Sequence, residues 1–255
     1  MILRHVIKHF RNQEWTAIAI DFVIVVVGVF VGIQVANWNQ AQNDMSLGTA
    51  YLKRIQLDVE TDIVNYNKRM AFWDQVIKYG SKALAFAEGR PHNESTDWEM
   101  LLAFFQASQI SEFYSTLATY NELTNAGDLR LLGNVAIRNA VTNYYTNSYN
   151  PALSERPKYR ENVRGLISIN IQTYIWQHCH TTDVGSNQRL VDCDPPPELA
   201  NPGKILNSLA ANQTLLADLR YWISTQTVAT KIGLDRIVEA ERLKILIESE
   251  LKADK

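Results

Sequence analysis

The sequence predicts an all-α protein: one N-terminal transmembrane helix followed by an extracytoplasmic bundle of long helices. Three observations predict it. The stretch from Trp15 to Trp38, WTAIAIDFVIVVVGVFVGIQVANW, is apolar except for Asp21 and a few neutral polar residues. At 1.5 Å per residue, about 20 such residues cross the roughly 30 Å hydrocarbon core of a bilayer. Apolar residues then recur at three- and four-residue steps over most of the chain, whereas strand signals are few, with little sustained alternation and no Asn-Gly or Asp-Gly turn.

The elements follow in order. Residues 1–14 hold Arg4, Lys8 and Arg11 against Glu14, and the first turns place Ile2, Leu3, Val6, Ile7 and Phe10 on one face. They read as a basic amphipathic segment on the cytoplasmic leaflet, or as a plain basic flank. Residues 15–38 form the span, with Trp15 and Trp38 as anchors at the two interfaces. No Lys or Arg occurs from Asn39 to Leu52. The positive-inside rule therefore places the N-terminus in the cytoplasm and residues 39–255 outside it. A cleaved signal peptide fits less well: the run exceeds the usual 7–15 residue apolar region, and Gln34 and Ala36 make a poor cleavage motif before Asn37.

The external helices follow. Leu47, Tyr51, Ile55, Val59, Ile63, Tyr66, Met70 and Trp73 predict a helix to about Glu88, stopped by Gly89-Arg90-Pro91, with Gly48 as a weak point. Thr96-Asp97-Trp98-Glu99 is a capping box that starts a second helix. A third is expected from about Ser111 to Asn125 with Gly127 as its left-handed cap, and a fourth over Val135–Tyr149, broken at Asn150-Pro151. A fifth, Ala152–Cys179, leads to a polar loop. Pro195-Pro196-Pro197 and Pro202-Gly203 form a connector. A last helix runs from Lys204 or Gln213 to Leu251, kinked near Gly233, with a fraying charged tail. Long first and last helices pack best as antiparallel neighbours.

Cys179 and Cys193 are the two cysteines, and both lie beyond the span. A disulfide between them would close a loop of about 15 residues, worth about 3 kcal/mol on chain entropy, and fits an oxidising compartment. A metal at His178-Cys179-His180 and Cys193 is the alternative, against the usual spacing of zinc ligands.

Asp21 is the sharpest single residue. It lies roughly 9 Å along the helix from Trp15, where a carboxylate is costly. Asp21, Val25, Gly28 and Gly32 share one face, and Gly28 and Gly32 form a small-xxx-small groove. That face reads as a helix-packing stripe, as chance in a Val/Gly-rich span, or as a proton-exchanging site in a peripheral subunit of an ion-driven assembly. Phe104, Phe105, Phe113, Tyr114, Tyr120, Tyr144, Tyr145 and Tyr149 read as bundle core rather than a ligand pocket.

Three stretches carry a resemblance: the span with its exit, IDFVIVVVGVFVGIQVANWNQ; the next helix, YLKRIQLDVETDI; and Thr116–Tyr145, TLATYNELTNAGDLRLLGNVAIRNAVTNYY. With Asp21, Gln34, Trp38 and Asn39, then Thr119-Tyr120, Leu123, Gly127, Leu131, Asn134 and Tyr144-Tyr145, the chain resembles an uncharacterised bacterial family of single-span membrane proteins, a domain of unknown function. Asp21 departs from the family's more usual Glu, and the Cys-bearing loop is not typical of it. The resemblance implies a bacterial inner-membrane protein with a periplasmic helical domain, and no activity.

No nucleophile elbow, P-loop, H-E-x-x-H or dinucleotide fingerprint occurs. The expectation is therefore a non-enzymatic protein with no catalytic residue, cofactor or metal. Its expected partners are the lipid bilayer and a second copy or a membrane-protein partner. A net charge of −2 gives no reason to expect nucleic acid. A periplasmic sensing module is the alternative; with only residues 1–14 inside, it would signal through a partner.

Overall fold

The computed structural model describes residues 15–90, 95–111, 115–133, 135–146, 156–183, 187–199 and 201–253. The expected segment 1–14, Asn150-Pro151, Phe113, Tyr114 and Tyr149 lie outside them. The described residues form eight α-helices: α1 Trp15–Ala87, α2 Asp97–Gln106, α3 Ala118–Ala126, α4 Val135–Thr146, α5 Lys158–Leu166, α6 Ile169–His178, α7 Pro202–Ala211 and α8 Gln213–Ala253. A 3-10 turn, Asp128–Leu131, follows α3, and strands β1 (His180–Asp183) and β2 (Asn187–Leu190) pair as an antiparallel hairpin.

α1 is one unbroken helix of 73 residues, about 110 Å long. Its first part is rich in Val and Ile, which do not favour helix in water. A single segment in hydrocarbon would satisfy all its backbone groups only as a helix, so a bilayer would override that propensity. Gly48 is not a weak point: it is buried, and a Cβ there would overlap the Leu131 carbonyl oxygen. The glycine lets the 3-10 turn close onto α1.

α1 and α8 run antiparallel. Glu88 pairs with Arg220 at 2.9 Å, Met70 and Trp73 face Gly233, and Glu60 meets Lys244 at 3.2 Å. α8 is continuous through Gly233, where a Cβ would stand 3.1 Å from the Met70 sulfur. That glycine permits close approach of the two helices instead of marking a kink. The expected fraying tail is helical to Ala253, because Leu243 and Ile247 are buried in it.

Two hydrophobic cores lie along this pair. The distal one gathers Phe72, Leu101, Phe104, Tyr159, Ile175 and Leu219 from α1, α2, α5, α6 and α8. The proximal one, nearer the apolar segment, gathers Ile55, Val59, Leu123, Ile137, Leu243 and Ile247 from α1, α3, α4 and α8.

Local signals set the shorter elements. Thr96 and Glu99 make the reciprocal capping box of α2, and Gly127, with φ 74°, caps α3. Three expectations are corrected. The third helix begins at Ala118: Ser111 lies outside any helix, and its carbonyl accepts from the Trp73 ring N–H. The fifth helix is two: Ile167 turns extended to enter the core, and Gln172 caps the freed carbonyls of Arg164 and Ile167 at 2.8 and 2.7 Å. The polar loop holds a hairpin, and Gln75 of α1 completes its edge by exchanging both amide hydrogen bonds with the backbone of Leu190.

Candidate functional site: an apolar stripe and a polar belt

Among the described residues, one helix is long and apolar enough to cross a membrane, and its apolar stretch is not covered by the rest of the chain. Trp15 and Trp38 are both exposed, with the long aliphatic run from Phe22 to Val35 between them. On α1, Asp21, Val25, Gly28 and Gly32 do share a stripe, as 3.6 residues per turn requires. Open space lies over both glycines. The same phase continues beyond the apolar segment, since Leu57 and Val64 fall close to whole turns after Asp21. Both are exposed, at 62% and 51%.

Cys179 and Cys193 are joined by a disulfide, with Cα atoms 5.1 Å apart. The Cys179 sulfur is thereby unavailable to a metal, and His180 packs edge-on to Trp176 instead. The closed loop is clamped at both ends: Gln106 donates to the Cys179 carbonyl and Trp98 to the Cys193 carbonyl, each at 2.7 Å.

Between the two cores runs a belt of polar side chains that sequence reasoning missed. Its axis is the segment after α2, where Ser108, Gln109 and Ser111 are buried. A buried loop must find partners for its backbone. Side chains supply them: Trp222 donates to Ala107 O at 2.9 Å, Arg160 to Ser108 O at 2.8 Å and Trp73 to Ser111 O at 3.2 Å. Arg69 also donates to the Ser111 hydroxyl.

On the proximal side of the belt sits Asp62, wholly buried on α1. Its carboxylate accepts from the Thr116 backbone N–H, the Thr116 hydroxyl and the Tyr144 hydroxyl, each at 2.8 Å. Burial pushes its pKa up, and the three donors oppose that rise without cancelling it. The Tyr144 and Tyr145 hydroxyls are pushed far above the ordinary tyrosine range, chiefly by burial. Tyr120 stacks on Tyr145 at 4.6 Å, so these aromatics are core built around one carboxylate. Asp62 holds a proton or a negative charge where no cation pairs with it among the described contacts.

On the distal side stand Arg160 and Arg164 of α5, half-buried. Both reach the Gln109 side-chain oxygen, at 3.4 and 2.9 Å, and Arg164 also donates to the Ser108 hydroxyl at 3.2 Å. Burial, then the charge of Arg160, brings the Arg164 pKa down to about 10. A signal for this cluster was present in the sequence: Arg156, Arg160 and Arg164 are like charges at four-residue steps, which disfavours a helix unless something offsets them.

No family model, curated protein or solved structure matches the chain.

Proposed function

We propose that the chain is a non-enzymatic membrane protein with a single span, N-terminus in the cytoplasm and helical domain in the periplasm, acting as a structural or accessory subunit of a membrane assembly. One observation carries the reading: the uncovered apolar segment and the longest domain helix are the same unbroken α1. A contact made in the bilayer would thus be held in register with the external domain. The stripe of Asp21, Val25, Gly28 and Gly32 offers such a contact, and Leu57 and Val64 extend it outside. The basic flank ahead of Trp15 supports the orientation, and the disulfide supports an oxidising compartment on the far side.

The test is extraction of the native protein in mild detergent, with its mass and partners identified. The expected result is a discrete complex, with itself or with a membrane protein, that Gly28→Leu with Gly32→Leu disrupts. A complex that survives both leucines would refute packing through the stripe. Asp21→Asn separates assembly from proton use: loss of a proton-linked activity with the complex intact would favour the motor-like alternative.

A further inference from the structure

We propose that Arg69, Arg160 and Arg164, gathered around the segment that follows α2, form a binding site for a small polyvalent oxyanion such as phosphate, sulfate or a di- or tricarboxylate. The argument begins with charge. Three guanidiniums donate to the short segment Ser108–Ser111: Arg160 and Arg164 of α5 share the Gln109 side-chain oxygen, and Arg69 of α1 takes the Ser111 hydroxyl. Among the described residues all their acceptors are neutral: one backbone carbonyl, two serine hydroxyls and one amide oxygen. The C-terminus of α2 offers about half a negative charge, far short of three positive ones. Among the described residues no carboxylate pairs with any of the three, and the charges felt at Arg160 and Arg164 are those of other arginines.

Geometry points the same way. Each guanidinium has five N–H donors in a fixed fork. Arg160 uses only Nη1, and Arg69 only Nη1, on acceptors among the described residues. Arg164 uses Nε and Nη2 and leaves Nη1. Arg164 is further held against the faces of Phe105 at 4.9 Å and Trp176 at 5.5 Å. A guanidinium fixed between two rings has already lost the rotamer freedom that binding would cost. Arg164 is thus preorganised, and among the described residues the cluster carries more positive charge than its acceptors offset and keeps unused donors, which is what a doubly or triply charged oxyanion needs.

The position of the site selects the source. Arg69 lies roughly 45 Å along α1 beyond Trp38. A lipid headgroup beside that Trp could not reach it, so the ligand is a dissolved one.

The experiment uses the full chain in neutral detergent. Thermal unfolding is followed in sodium phosphate, sulfate and citrate against sodium chloride at matched ionic strength. A saturable rise in Tm, with its midpoint at millimolar ligand or below, is expected for at least one oxyanion, together with its loss in Arg160→Gln/Arg164→Gln. Which anion acts at the lowest concentration distinguishes a tetrahedral ligand from a carboxylate. Identical Tm values in oxyanion and chloride would overturn the proposal, as would a rise that persists in the double variant. Should that variant fail to fold, phenylglyoxal labelling of the wild type decides. The effective oxyanion should slow modification of Arg160 and Arg164 severalfold and leave exposed Arg189 unchanged. Equal rates at all three would refute the site.

Discussion

The distal and proximal cores share α1 and α8 yet handle buried polarity in opposite ways. In the distal core the polar groups are backbone carbonyls left over at the end of α2 and in the disulfide loop. They are met by neutral or cationic donors: Tyr159 to Phe104 O, Trp222 to Ala107 O and Gln106 to Cys179 O. In the proximal core the central polar group is a side-chain carboxylate, Asp62, met by hydroxyls and one backbone N–H. The distal half also has a covalent closure, which the proximal half lacks. The difference teaches that one helical pair can carry two locally independent packing solutions when a polar belt separates them.

The largest test of that independence is a cavity in each core. Phe104 and Ile55 are both wholly buried. Phe104→Ala should cost about 3–5 kcal/mol and Ile55→Ala about 2–5 kcal/mol. Read by hydrogen exchange, the first should loosen amides of α2 and α5 before those of α4, and the second should do the reverse. Uniform loss of protection along the whole domain in both variants would show that α1 and α8 weld the cores into one cooperative unit.

A smaller and more local effect should follow from opening the disulfide. Cys179→Ser with Cys193→Ser releases a loop of about 15 residues and should cost about 3 kcal/mol or less. The loop remains clamped by Gln75, Trp98 and Tyr79, so the hairpin should persist at low temperature. Dichroism with proteolysis near residues 183–187 checks this. Cleavage in the double variant well below its main unfolding temperature would mean that the bond, not the clamps, holds the hairpin.

What the sequence made legible was whatever is written locally. The capping box at Thr96, the cap at Gly127 and the stripe Tyr51, Ile55, Val59, Tyr66 and Trp73 all depend on residues within a turn or two of each other. The disulfide was legible because the chain has two cysteines. The break at Ile167 was not, because the gain comes from burying that side chain against distant residues. The hairpin was not, because its strands are short and polar and its edge partner, Gln75, lies 115 residues from Leu190. The polar belt was hidden for the same reason. Asp62 looks like one more surface acid on an amphipathic helix until Thr116 and Tyr144 are brought to it from elsewhere in the chain.

Asp62 supplies the smallest effect and the cleanest sign. Its folded-state pKa is raised by burial, from an ordinary value near 3.8. The folded state therefore holds the proton more tightly than the unfolded chain does. Its contribution to stability is complete below the ordinary aspartate range and is lost as pH rises through the raised value. Carboxylates held low have the opposite sign: Glu122 beside Arg54 and Glu88 beside Arg220 lose their contribution as pH falls. The bulk pH profile mixes the two, so the informative quantity is the difference in Tm between wild type and Asp62→Asn across pH 4 to 8. Asn keeps one acceptor for Thr116 or Tyr144 and cannot ionise. The difference should favour the wild type most at the acid end and shrink, or reverse, toward neutral pH. A gap that widens toward neutral pH would mean that the three donors outweigh burial and that Asp62 works as a fixed anion. In that case the proximal core would tolerate charge as readily as the arginine cluster on the other side of the belt.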